Sequence, residues 1–207
     1  MASEGEDALA IVCEFLEVAV HGILYARDIY PRGSFELRKK YGIPVQICVH
    51  PGVRSYVDAL LESLSQLLQR REVNTFCVLI LNANQEPVEK FMFEISTVCD
   101  NSFCCSDLLS LELELRDMLL KIYTCNSVLH PVLKECTWRA EVHLQQSAFV
   151  EFTEKGLLKS VIWTMDDQPH GPAVMTQIVP LKSINYGFLQ LQLHIEEQHG
   201  NPPTPSE

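Results

Sequence analysis

Residues 13–31 read "CEFLEVAVHGILYARDIYP", and a run this apolar has to be buried in something. Set on a helix over residues 6–30 at ~100° per residue, Asp7, Glu14, Glu17, His21 and Asp28 share one narrow sector, and most of the remaining circumference is apolar. Such a helix is enclosed on nearly all sides, with one narrow wet stripe. Two glutamates near its middle would cost about 2.5–3.5 kcal/mol each in a bilayer, so the expected surrounding is protein. The helix is read as the central element of a one-domain fold, with sheet and further helices packed around it. Tyr30-Pro31 is expected to end it, because the residue before a proline is pushed out of the helical region. His21 lies one turn beyond Glu17 and is expected to be solvated or hydrogen-bonded on the polar stripe.

The remainder of the chain supplies those neighbours. From residue 53 to 68 the apolar positions 53, 56, 57, 60, 61, 64, 67 and 68 follow a helical spacing. "VNTFCVLIL" (73–81) is a short apolar run typical of a buried strand, "NANQEP" a turn, and "VEKFMFEI" alternates with Phe91, Phe93 and Ile95 on one face, which together predict a hairpin. Residues 106–123 alternate at first like a strand. Their length without glycine or proline, a helical face at Leu108, Leu111, Leu115, Met118, Leu119 and Ile122, and Ser106 as an N-cap favour a helix. "TWRAEVHL" then predicts a strand with Trp138, Ala140, Val142 and Leu144 inward, and "FLQLQLHIEE" a closing strand with Gln190, Gln192 and His194 outward.

Between these last two strands, residues 145–187 hold the strand-like patch "LLKSVIW", the polar and proline-bearing "TMDDQPHGPAVMTQ", and "IVPLK". A connection of that length inside a compact domain is uncommon and is usually functional or disordered. Residues 1–7 and 199–207 are expected to be flexible ends of the chain.

Several function classes are disfavoured. A net charge of -11 gives no general attraction to nucleic acid or an anionic membrane, and the run "RKK" (38–40) is read as a solvated or partner-facing patch. The start "MASEGEDALA" lacks the basic region of a secretory signal. The eight cysteines, Cys13, Cys48, Cys77, Cys99, Cys104, Cys105, Cys125 and Cys136, are accordingly expected to be free thiols. "CDNSFCC" (99–105) would need a further ligand from elsewhere to hold zinc and reads better as a loop with free thiols. No phosphate loop, GxSxG, HExxH or CxxC occurs. No cofactor or metal is expected, and a cysteine-nucleophile enzyme is the least favoured reading.

The stretches "CEFLEVAVHGILYARDIYP", "RKKYGIPVQ", "PVEKFMFEI" and "IVPLK" resemble, in this order, the HORMA-domain accessory, non-catalytic subunits of translesion DNA polymerase zeta, themselves relatives of the spindle-checkpoint HORMA adaptor. The resemblance runs over about residues 8–198. It implies an α+β fold, three helices packed on an antiparallel β-sheet, with a C-terminal mobile safety belt at residues 145–187 that wraps a partner peptide against a core strand. Main-chain pairing would then supply affinity and side-chain pockets specificity.

The resemblance also assigns positions. Tyr56, Trp163 and Ile178 match peptide contacts, Trp163 foremost because large aromatics dominate such pockets; its plain alternative is a core tryptophan. Asp28, Leu37, Arg116 and Ser127 match a face for homo- or heterodimerisation between HORMA domains, where the family carries a basic residue at Leu37 and a small apolar one at Ser127. Gln192 and His194 match a surface for the C-terminal domain of an inserter polymerase, with His194 standing where tyrosine is usual. The implied partners are a proline-containing peptide of the polymerase zeta catalytic subunit, the inserter polymerase, another HORMA domain and an ATP-driven remodeller, in the nucleus. No direct nucleic acid or membrane contact is implied. A HORMA adaptor of the spindle checkpoint, cell-cycle control or meiotic chromosome axis is the alternative.

Overall fold

The computed structural model describes residues 3–97, 108–131, 135–145, 176–186 and 189–198. Trp163, the patch "LLKSVIW", most of the expected safety belt, the Cys99–Cys105 loop, Ser106 and the tail at 199–207 lie outside them.

Helix α1 runs Ser3–Ala26 and buries Val12, Phe15, Leu16, Ala19, Val20, Ile23 and Leu24. Leu9–Ala26 is long and apolar enough to cross a membrane by length and composition, yet its apolar surface is taken up by α2, α3 and the β1–β2 hairpin, all described below. Residues 3–7, expected to be flexible, continue the helix. The helix also ends earlier than Tyr30-Pro31 would require. The amide of Ile29 donates to the carbonyl of Leu24 (3.1 Å) and that of Asp28 to Tyr25 (3.2 Å). With Asp28 at φ 52°, this is a Schellman closure, a stop built from a left-handed residue that no proline signals.

Next comes a hairpin absent from the sequence reading, β1 (Phe35–Lys40) and β2 (Ile43–Cys48), paired antiparallel from Phe35↔Cys48 to Lys40↔Ile43. Its two-residue turn holds Tyr41 at φ 49° and Gly42 at φ 74°, the left-handed pair that matches strand twist. Replacing Gly42 with valine is expected to lower stability by about 1–2 kcal/mol, the usual penalty for a β-branched side chain in that region, read as a lower urea midpoint.

Helix α2 (Pro51–Gln69) buries Val53, Val57, Leu60, Leu64, Leu67 and Leu68, and α3 (Leu108–Thr124) buries Leu111, Leu115, Met118, Leu119 and Ile122. Strands β3 (Val73–Leu81), β4 (Pro87–Thr97), β5 (Thr137–Leu144), β6 (Thr176–Tyr186) and β7 (Leu189–Gln198) form one antiparallel sheet in the order β5-β3-β4-β7-β6. Phe76, Phe91, Phe93, Leu191, Leu193 and Ile195 join the helices in one core. The expected three helices on an antiparallel sheet are therefore present. "IVPLK", read as part of the long connection, lies within strand β6. Pro180 hides the strand in the sequence. It is tolerated because β6 is an edge strand and the register shifts between Pro180 and Lys182.

Candidate functional site: a sheet edge faced by Tyr56 and Trp138

β5 ends the five-stranded sheet, so its outer edge carries no strand among the described residues. Trp138 stands on it, half-buried against the core as its alternation predicts. Its indole N–H donates to the Tyr30 hydroxyl at 3.0 Å. Tyr56 sits within the apolar spacing of α2 but faces outward, 39% exposed, and meets Trp138 edge to face at 5.3 Å between centroids (77°). Two aromatic rings, one fixed by a hydrogen bond, thus lie beside a strand edge that has no partner strand among the described residues. Strand addition uses this combination, with main-chain groups for affinity and side-chain surface for selection. Trp138 was not among the sequence-assigned site residues. Its signal, a tryptophan on a strand placed last in the sheet, becomes visible only when the strand order is known.

Ile178 lies on β6, the opposite edge, 63% exposed. Among the described residues it is therefore not brought to Tyr56, and Trp163 is outside them. β6 is fastened to α3 by Lys182, whose ammonium reaches Glu114 (2.8 Å) and Asp117 (3.6 Å).

The four residues assigned to a dimer face sit on elements that are tied together. Asp28 closes α1 and pairs with Arg32 at 2.6 Å. Ser127 follows Asn126, whose side-chain amide donates to the carbonyl of Ala26 at 2.7 Å. Leu37, 64% exposed, is the register partner of Gln46, whose backbone N–H donates to the Tyr123 hydroxyl of α3 at 2.9 Å. Arg116 lies seven residues before Tyr123, hence on the same side of α3. It is half-exposed, with its guanidinium 3.5 Å from Asp117. On β7, Gln192 is exposed and His194 half-exposed, one residue apart on the face away from Leu191, Leu193 and Ile195. Glu94 and Ser183 flank Gln192, and Met92 and Pro180 flank His194.

Among the described residues, Cys13, Cys77 and Cys125 offer no comparable chemistry. Burial pushes the Cys13 thiol up to about 11, Cys77 to about 12 and Cys125 to about 11. A nucleophilic cysteine needs the opposite shift.

Comparison with known proteins agrees with this architecture. The family model for the HORMA domain matches residues 8–135. The chain is 37% identical to the Danio rerio mitotic spindle assembly checkpoint protein MAD2B over 195 residues, 94% of this chain and 92% of that protein. It is 29% identical to the Arabidopsis thaliana DNA polymerase zeta processivity subunit, over 92% of this chain and 86% of that protein. Among solved structures, it aligns with a chain of the mitotic checkpoint complex at TM-score 0.78 and 21% identity, covering 93% of this chain and 99% of that one. C. elegans HTP-2 bound to the HIM-3 closure motif aligns at TM-score 0.72 and 12% identity, covering 92% and 89%. Fold, match and identity converge: the chain belongs to the HORMA domain family.

Proposed function

We propose that the protein is a non-catalytic adaptor that captures a proline-containing partner peptide along the outer edge of β5. The observation that carries this reading is the Tyr56–Trp138 pair beside that edge. Trp163 and the residues around it would close over the peptide as a safety belt, so that escape requires a conformational step and release is slow. Reopening would fall to an ATP-driven remodeller.

The polymerase zeta name of the Arabidopsis relative supports the catalytic subunit of that polymerase as the source of the peptide. Gln192 and His194 would recruit the C-terminal domain of an inserter polymerase, coupling the two in translesion synthesis and DNA repair in the nucleus. Asp28, Leu37, Arg116 and Ser127 would meet a second HORMA domain. The checkpoint name of the Danio relative favours a second reading, the same capture used in the spindle checkpoint. The preferred peptide sequence separates the two.

Calorimetric titration with a peptide from the polymerase zeta catalytic subunit tests the first reading. Sub-micromolar binding is expected, weakened at least ~10-fold, about 1.4 kcal/mol, by Trp163→Ala in a protein that stays folded. A folded wild type that fails to bind this peptide but binds a checkpoint peptide would transfer the assignment to the second reading.

A further inference from the structure

On the side of α1 that carries its polar residues lies a cleft of about 350 Å³, walled by α1, the β1–β2 hairpin and the start of α2. Arg38, Lys39, Lys40 and Arg54 line it, with Glu17 as its one lining carboxylate. His21 also lines it and is 1% exposed, and its Nδ1 has no hydrogen-bond partner among the described residues. Lys39 and Arg54 have no ion-pair partner there either. Arg38 pairs with Glu36 and Lys40 with Glu14, but the first pair is mostly exposed and the second nearly half-exposed. Exposed pairs of this kind are weak, and either cation can turn to a better anion. Arg54 belongs to the first turn of α2, which holds no acidic residue, so the positive end of the helix dipole reinforces the same wall.

We infer that this cleft binds a phosphate monoester carried on a peptide, gripped by Lys39 and Arg54 with Arg38 and Lys40 swinging in, and with the buried imidazole of His21 at its floor. Four cations, two of them without an ion-pair partner among the described residues, suit a dianion with three acceptor oxygens. A nucleic acid suits it less. The cavity has room for one phosphorylated side chain rather than a backbone track, its lining carries no Phe, Tyr or Trp for base stacking, and the net charge of -11 opposes a polyanion. Arg54 and Tyr56 lie about 200° apart around α2, so the cleft is separate from the edge proposed to take the captured peptide and does not depend on that reading.

The test is NMR titration of the full chain, labelled in backbone amides and histidine rings, at constant ionic strength. Four probes are compared: a short phosphoserine peptide, its unphosphorylated twin, inorganic phosphate and a thymidine oligonucleotide. The phosphopeptide is expected to shift the His21 ring and the Lys39 and Arg54 amides saturably, more tightly than inorganic phosphate, while the twin leaves them unmoved. A Lys39→Gln/Arg54→Gln variant, whose spectrum elsewhere reports an intact fold, is expected to weaken that binding at least ~10-fold. The inference is overturned by the absence of a saturable shift, by undiminished binding to the variant, by equal affinity for inorganic phosphate, or by tighter binding of the oligonucleotide at the same resonances.

Discussion

Replacing Arg27 with methionine is expected to destabilise the protein by about 3–5 kcal/mol, the usual result of removing one partner from a buried ion pair. Arg27 is 4% exposed, and its guanidinium donates to both carboxylate oxygens of Glu89, itself buried. The same group donates to the side-chain carbonyl of Asn126 and, at 2.6 Å, to the backbone carbonyl of His130. His130 in turn donates its backbone N–H to Glu197 at 2.8 Å. One side chain therefore joins the end of α1, strand β4, the turn after α3 and, through His130, strand β7. Burial raises the pKa of Glu89 even in the folded protein, opposed by its hydrogen bonds to Arg27. Without Arg27 that carboxylate must stay charged in a dry site beside Glu197 or take up a proton. The deficit of the variant is therefore expected to shrink on acidification. An Arg27→Met/Glu89→Leu double variant is expected to regain at least about half of the loss, because an apolar pair of similar volume costs little. Urea denaturation of the three proteins reads the effect. A double variant no more stable than the single one would show that Arg27 acts through packing and not through Glu89.

The same regions show what a sequence can and cannot disclose. Helix α2, the β3–β4 hairpin and β7 were legible because each buries one face only, or one continuous run, and its apolar period is uninterrupted. β1 was not, since "ELRKK" leaves four consecutive residues exposed and has no apolar alternation; only the tight turn at Tyr41-Gly42 and the pairing itself define it. β6 was obscured by Pro180 at its register shift. The missed hairpin also explains the misreading of His21. Its place on a polar stripe of α1 predicts a solvated or hydrogen-bonded ring, but the β1–β2 hairpin folds over that stripe, and the ring is 1% exposed with no partner for Nδ1 among the described residues. Lys40 is paired with Glu14, and His21 is closed in at the base of the basic cleft. Helical periodicity identifies which residues share a face but not what covers it. For the same reason Tyr56 could be matched by position, while its partner Trp138 could be recognised only once β5 stood at the sheet edge.

Buried in this way, His21 is expected to make the protein lose stability in mild acid. Its pKa is lowered from 6.5 to about 4, first by burial and then by Arg54, with Asp58 pulling the other way. Glu17 on α1 and Arg38, Lys39 and Lys40 on β1 complete the charges that line the same cleft. The folded chain keeps the imidazole neutral where the unfolded chain protonates it. The stabilisation is thus fully present above pH 6.5 and lost as pH falls from there through about 4, amounting to on the order of 3 kcal/mol when complete. Glu17 and Glu89 have raised pKa values and act in the opposite sense, so the informative quantity is the difference between wild type and His21→Leu. That variant removes both the titration and a buried nitrogen without a partner among the described residues. It is expected to equal or exceed the wild type at pH 7 and to gain on it steadily as the medium is acidified, read by urea denaturation across that range. Parallel pH profiles would mean that His21 accepts a proton in the folded protein as readily as in the unfolded chain. The cleft would then have to open to water far more freely than its burial implies.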